Sequence, residues 1–467
     1  MACELGFGQG VSINMHAAAS NVQWWGTDFN PSHAGFALEL AQASGARAHL
    51  FDESFAELCA RTDVPQMDYI ALHGIWSWIS DENRHLIVDF VKRKLKVGGV
   101  LYVSYNTQPG WAAMVPMREL FVEHAAVMGV PGQGRVSSVD AALDFASKLV
   151  ATNPMFARAN PQVADRLKKL VAHDRHYLAH EYFNRDWQPM SFASMAHWLE
   201  PAKLSFACSA NGLDQVDALN LSAEQQALLS AIPDTGFRQT VRDFCVNQGF
   251  RKDYWVRGAR SITQGEQTEA LRARSVVLVA NVADVTMKAN GVLGEISLHE
   301  NIYKPILQAM SDNLPISLGE IEKKVQGAGI SFSQLLQAVM VLSSKGSVED
   351  AQEAQLIDQA RPATSSLNRH LIKKAVLGKE VPFLASPVTG GGVAVNRFQQ
   401  LFLDSLSRGR KDPAEWAADA LAIMSSQGQR LRKEDKVLET PEQNLAELLS
   451  LANEFATKRL NVVQKLI

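Results

Sequence analysis

Apolar positions along the first 111 residues recur with two alternating periods. Short blocks rich in β-branched and aromatic residues, ACEL, VQWWGTDF, ARAHLFDESF, MDYIALHG and VLYVSYN, read as five strands. The stretches between them carry apolar residues at helical spacing. VSINMHAAAS predicts a helix, and PSHAGFALELAQASG predicts one with Pro31 in its first turn and Gly45 at its end. SDENRHLIVDFVKRKLKVGG predicts a third, capped by Ser80, basic in its last turn and stopped at Gly98–Gly99. Strands joined by helices imply parallel crossovers, hence an α/β fold with a doubly wound sheet. Ligands of such sheets sit at the carboxyl ends of the strands.

From about 112 to 200 the pattern is helical and amphipathic. KLSFACSA (203–210) and RKDYWVRGAR (251–260) read as an antiparallel pair that completes the sheet after a helical insertion. Residues 275–298 alternate and predict a hairpin turning at Ala289-Asn290-Gly291. Helices over 300–312, 317–326 and 332–345 then form a winged-helix-like set of parts. The remainder is mostly helical, broken by the loop SPVTGGGVAVN. Four regions result: a ligand-binding core (1–115), a helical insertion with strands completing the core (116–270), a hairpin and winged-helix-like module (271–355), and a mostly helical C-terminal region (356–467).

Composition narrows the partners. A 467-residue chain suggests two to four domains, and 46% hydrophobic with 20% charged residues is ordinary globular protein. A net charge of −3 argues against a surface that seeks nucleic acid or membrane. The third helix of the 300–345 set, SFSQLLQAVMVLSSK, has no Arg and only Lys345, which argues against a DNA-reading element. Cys3, Cys59, Cys208 and Cys245 show no CxxC or metal-like spacing, so they read as reduced thiols of a cytoplasmic protein without a metal site. No signal peptide or bilayer-length apolar run is visible.

The candidate chemistry lies at the strand ends. ELGFGQG follows the first strand. A dinucleotide fingerprint is G-x-G-x-x-G; here Gly6, Gly8 and Gly10 are evenly spaced, and Glu4 precedes them. An acid at that place repels a pyrophosphate and suits a cationic ligand such as S-adenosylmethionine, while a tight turn with no ligand stays open. Asp28 ends the second strand, where a carboxylate can accept both ribose hydroxyls. Asp52 ends the third, where an adenine amino group needs an acceptor. His73, Trp76, Trp78, Tyr105, Asn106 and Trp111 crowd the ends of strands four and five. They could instead be packing residues, but polar-tipped aromatics at one sheet edge suit a small-molecule site.

ELGFGQG, GTDFNP, DYIALHGIWSWIS and GGVLYVSYNTQPGW resemble class I S-adenosylmethionine-dependent methyltransferases. The resemblance is strongest to the bacterial subgroup with an appended methyltransferase regulatory domain, which includes protein-lysine methyltransferases acting on outer-membrane proteins of rickettsiae. YNTQPGW carries most of it, and it continues through HEYFNRDWQP. It implies a Rossmann-like methyltransferase core with S-adenosylmethionine as cofactor. Glu4, Gly6, Gly8 and Gly10 would line the methionine end, Asp28 the ribose and Asp52 the adenine. His73, Tyr105 and Asn106 would border the channel of a protein or small-molecule methyl acceptor, and Trp76, Trp78 and Trp111 would contact that acceptor. His73 is the candidate general base by residue type. Relatives place a segment before the first strand; here Met1, Ala2 and Cys3 alone precede Glu4, so the expectation is a start placed late or an open cofactor pocket.

Overall fold

The computed structural model describes residues 1–129, 134–378, 381–434 and 436–467. Five parallel strands form its first half: β1 (Ala2–Leu5), β2 (Trp24–Thr27), β3 (Ala48–Phe51), β4 (Met67–Leu72) and β5 (Leu95–Asn106). β6 (Leu204–Ser209) and β7 (Phe250–Arg257) complete a seven-stranded sheet in the order β3-β2-β1-β4-β5-β7-β6, with β7 antiparallel to both neighbours. The expected antiparallel pair therefore completes the sheet.

Helices cover both faces. On one, α1 (Val11–Ala19) and α2 (Pro31–Ser44) pack Ile13, Ala17, Ala34 and Ala37 against Ala2, Trp24 and Leu50. On the other, α3 (Phe55–Ala60), α4 (Asp81–Lys94) and the helix Phe192–Leu199 bury Leu58, Phe90 and Met195 against Cys3, Leu5, Leu101 and Val103. The local signals act as expected at three ends. Pro31 lies in the first turn of α2, Gly45 closes that helix at φ 65°, and Ser80 caps α4 by accepting the Asn83 N–H.

Two expectations are corrected. The α4 helix stops at Lys94, not at Gly98–Gly99, because Leu95 already pairs with Met67. Between that pair and Tyr69↔Val100 the β5 chain bulges, and Gly98 adopts φ 82° there. The hairpin consists of β9 (Lys288–Gly291) and β10 (Gly294–Ser297), so its turn is Val292–Leu293 and not Ala289–Gly291. The short helix Asp217–Asn220 pins that turn: Val292 N–H donates to Asn220 Oδ1 at 3.2 Å, and a Cβ on Gly291 would meet the Leu219 carbonyl at 2.1 Å. β8 (Ser275–Leu278) instead joins β11 (Ile316–Ser317) and β12 (Val348–Ala351) in a three-stranded sheet, numbered in chain order around the hairpin. Helices Glu300–Ala309, Leu318–Val325 and Phe332–Ser344 pack on it through Ile306, Ile321 and Leu335.

The segment 111–187 buries a core of its own around Trp111, Phe121, Leu143 and Tyr182. The C-terminal helices pack Leu367, Leu371 and Phe402 around Met15 and Leu40 of α1 and α2. SPVTGGGVAVN supplies the turn and second strand of a hairpin of β13 (Phe383–Ser386) and β14 (Gly391–Ala394), and the Gly390 carbonyl lies 3.0 Å from His16 Nδ1. That motif thus seats the C-terminal region on α1. Among the described residues, no single helix is long and apolar enough to cross a membrane.

Candidate active site

The loop after β1 turns on left-handed glycines: Gly6 at φ 74°, Gly8 at 58° and Gly10 at 67°. The three do different work. A Cβ on Gly6 would meet Ile75 at 2.7 Å, and one on Gly10 would meet the Ala37 Cβ at 2.4 Å. Gly10 therefore permits close packing of α1 on α2. A Cβ on Gly8 would meet nothing within 4 Å, so Gly8 faces open space in the cleft.

Asp28 flanks that space, and Glu4 lies in the strand that leads into the loop. Gly8 N–H donates to Asp28 Oδ2 at 2.9 Å, Asn30 N–H donates to Oδ1 at 3.0 Å, and His33 Nδ1 lies 3.3 Å from the same oxygen. The carboxylate is fixed, yet Oδ2 retains an unused acceptor direction. Glu4 sits within β1 and is buried, and burial alone pushes its carboxyl up to about 8. It has no hydrogen-bond or ion-pair partner among the described residues. Asp52 lies exposed just past β3. Phe29, next to Asp28, is 77% exposed. That ring was missed in the sequence, where a lone apolar residue between Asp28 and Asn30 was the available signal.

At β4 and β5 the candidates separate by the pleat. Tyr102, Ser104 and Asn106 alternate with Leu101, Val103 and Tyr105. His73 stands exposed past β4, with the Tyr102 hydroxyl 3.3 Å from its Nδ1. Partial desolvation of the ring and the nearby Lys252 cation hold the imidazole below its ordinary pKa. Gly74 N–H donates to Ser104 Oγ at 2.7 Å, which fixes the turn below it. Asn106 is 2% exposed; its backbone N–H donates to Ser77 Oγ at 2.8 Å, and its side-chain Nδ2 has no hydrogen-bond partner among the described residues.

Tyr105, Trp76 and Trp111 do not line the cleft. Tyr105 is fully buried on the opposite side and donates to Asp253 Oδ2 at 2.9 Å. Asp253 in turn accepts from Arg251 Nε at 2.9 Å, and Arg251 donates to Asp243 at 2.5 Å. Trp76 is buried, with its indole N–H on Met190 Sδ at 3.3 Å and its ring edge-on to Trp198. Trp111 belongs to the core of segment 111–187, against Trp187 and beneath Arg166. Trp78 alone of the three tryptophans remains at the edge, donating to the Glu181 carbonyl at 3.4 Å. YNTQPGW is thus largely a structural motif: a Cβ on Gly110 would meet Gly249 Cα at 2.5 Å, so the glycine lets two backbones touch.

A cavity of about 1170 Å³ lies elsewhere, where β6–β7, the 275–351 module and the β13–β14 turn meet. Its walls mix Lys252 and Arg274 with Asp214, Glu349 and Asp350, and they do not include Glu4, Gly8 or Asp28. The strand-end cleft, by contrast, offers a buried carboxyl in β1, an open glycine in the loop after it and a fixed carboxylate just past β2. That set can hold a ligand with a cationic end and a hydroxylated middle.

Comparison with known proteins bears on the family and the fold. Residues 174–257 match the family model of the predicted methyltransferase regulatory domain. The uncharacterized protein sll1526 of a Synechocystis strain is 40% identical over 467 residues, covering 99% of this chain and 90% of that protein. The chain belongs to the sll1526 family. A more distant relative, the uncharacterized protein RP789 of Rickettsia prowazekii, is 24% identical over 254 residues, covering 53% of this chain and 44% of that protein. In overall structure, the chain is similar to PKMT2 from Rickettsia typhi in complex with AdoHcy, at a TM-score of 0.69 and 17% identity, covering 100% of this chain and 93% of that one. The fold of this sll1526 relative is therefore that of a class I methyltransferase, and the residues matched by the regulatory-domain model include β6 and β7 of the same sheet.

Proposed function

We propose that the chain is an S-adenosylmethionine-dependent methyltransferase that passes a methyl group in line to a protein side chain such as lysine. The observation that carries this reading is the Glu4–Gly8–Asp28 constellation at the carboxyl ends of β1 and β2. When bound, S-adenosylmethionine supplies a sulfonium methyl whose transfer leaves a neutral thioether. Glu4 would hold the α-amino end of that molecule, since a buried carboxylate without a partner gains most from a cation. Gly6 and Gly8 keep the backbone low beneath it. Asp28 Oδ2 would take the ribose hydroxyls, and Phe29 and Asp52 would flank the adenine. PKMT2 was solved with AdoHcy, which supports the same cofactor here.

His73, Asn106 and Trp78 border the acceptor side. Trp78 presents an aromatic face to an approaching amine, and the half-buried surroundings favour its neutral, reactive form. Positioning is most of what such a displacement needs from the protein. Calorimetric titration of the full chain with S-adenosylmethionine and S-adenosylhomocysteine tests the reading, with Asp28→Ala as control. Binding in the wild type that is lost in the variant is the expected result; no binding in the wild type overturns it.

A further inference from the structure

A second acidic side chain meets the sheet edge, and nothing so far uses it. Glu181 lies in the helix Arg175–Tyr182, within HEYFNRDWQP. The segment around it is laced to the ends of β4 and β5. Trp78 donates to the Glu181 carbonyl, Gln188 N–H donates to the Ser77 carbonyl at 2.8 Å, and Met190 N–H donates to the Asn106 carbonyl at 2.9 Å. These bonds bring the Glu181 carboxyl beside the Asn106 side chain; the two approach without closing a hydrogen bond. Asn106 shares the strand face of Tyr102 and Ser104, which is the face of His73 and Gly74. A buried amide with an unused donor costs free energy unless something arrives to pair with it.

The groups around Glu181 leave its charge uncompensated. Burial pushes its carboxyl up, and the Asn106 amide and the Arg166 cation pull it back only in part. Arg166, from the helix Gln162–Val171, spends its guanidinium on the Trp111 ring at 4.1 Å and on the Gly110 carbonyl at 3.5 Å. Tyr177 and Tyr182 face Glu181 from its own helix, and both hydroxyls stay protonated because burial raises them. The His180 ring lies 6.3 Å from that of Trp78. No ion pair reaches Glu181 among the described residues.

We propose that Glu181 is the acceptor-side base: its carboxylate receives a primary ammonium between Asn106 and Trp78 and takes one of its protons. This rests on the methyltransferase reading. The N–H bond of the ammonium breaks toward a Glu181 oxygen. The freed nitrogen pair forms the bond to the methyl carbon, and the breaking C–S bond leaves its electrons on sulfur. The methylated amine keeps a positive charge, and Glu181 returns its proton to water. His73, exposed and in contact with the Tyr102 hydroxyl, then serves the channel wall.

The test uses the full-length wild type, Glu181→Gln and Glu181→Asp with three readouts. S-adenosylhomocysteine should bind all three alike by calorimetry. In its presence, tetralysine should bind Glu181→Gln about tenfold more weakly than wild type, the order expected when one charged hydrogen bond is lost. Labelled methyl transfer to poly-L-lysine should fall about 10²-fold in Glu181→Gln at pH 7.5, the size of a lost general base, and recover in part in Glu181→Asp. The residual Glu181→Gln rate should climb about tenfold per pH unit from 7 to 9, following the free-amine fraction of lysine, while the wild type stays flatter. Parallel pH profiles, lost S-adenosylhomocysteine binding in Glu181→Gln, or no methyl-lysine from a wild type that binds S-adenosylhomocysteine would each overturn the proposal. A wild type that does not bind S-adenosylhomocysteine instead overturns the methyltransferase reading beneath it.

Discussion

Glu4 on β1 and Asp253 on β7 are carboxylates buried in one sheet, and the protein treats them in opposite ways. Asp253 accepts from Arg251 and from the Tyr105 hydroxyl, and Arg251 also holds Asp243. Burial raises both of these aspartates, Asp243 to about 6; it also pulls the guanidinium down, and its acidic partners more than compensate. Glu4 has burial and, among the described residues, no partner. Buried charge that is paired within the chain belongs to the fold, and buried charge left open points to a ligand. The same contrast separates the tryptophans: Trp76 and Trp111 are packed into cores, and Trp78 stays at the edge.

The contrast breaks hardest at the paired site. Asp253→Ala leaves Arg251 and Tyr105 facing an empty carboxylate position. Removing one member of a buried ion pair costs about 3–5 kcal/mol, so the urea midpoint should drop sharply. Replacing Arg251, Asp243 and Asp253 together by apolar residues of matching size should recover most of that loss. A single variant as stable as the wild type would show that the network is ornamental.

At Glu4 the expected effect is of opposite sign. Its folded value, about 8, lies above its ordinary value of 4.5, so the folded state holds the proton to higher pH. The contribution to stability is full below 4.5 and is lost as pH rises toward 8. Glu4→Gln should therefore unfold at a higher temperature than the wild type, by a margin that widens from pH 5 to pH 8. Its affinity for S-adenosylhomocysteine should fall and lose the rise with pH that the wild type shows. A constant melting gap across that range would mean that Glu4 is neutralised by the protein after all.

Asp28→Ala should weaken S-adenosylhomocysteine roughly 10- to 100-fold, the value of hydrogen bonds to a charged acceptor, with a smaller effect on melting. Calorimetry and thermal unfolding on the same samples separate the two. Equal affinity would move the ribose elsewhere.

Much of this was legible in the sequence. ELGFGQG and Asp28 lie within one β-α-β stretch, so local spacing sufficed to bring Gly8 and Asp28 together, and the alternating periods of the first 111 residues sufficed for the five strands and the helices between them. Two things were not legible. The pleat decides which of Tyr105 and Asn106 reaches the cleft, and one residue of register reverses that choice; YN as a pair reads the same either way. Glu181 comes to Asn106 across 74 intervening positions of chain, through the Ser77, Gln188 and Met190 backbone bonds, and no local spacing reports such a meeting.

The smallest effect is expected inside the glycine loop, where Gly8 and Gly10 repeat the opening contrast without any charge. Both have left-handed backbones, at φ 58° and 67°, so alanine at either pays about 1 kcal/mol in strain. What differs is the space. The new Cβ at Gly10 meets the Ala37 Cβ at 2.4 Å, so α1 and α2 must part, and Gly10→Ala should lose stability beyond the strain. The new Cβ at Gly8 meets nothing within 4 Å and should cost little more than the strain itself. If the open space at Gly8 is kept for a ligand, Gly8→Ala should lower S-adenosylhomocysteine affinity about tenfold, a little over 1 kcal/mol, while Gly10→Ala loses mainly melting temperature. Paired calorimetry and thermal unfolding on the two variants read both quantities. Equal losses of affinity would mean that the whole loop acts as one rigid turn, and that space at Gly8 says nothing about a ligand.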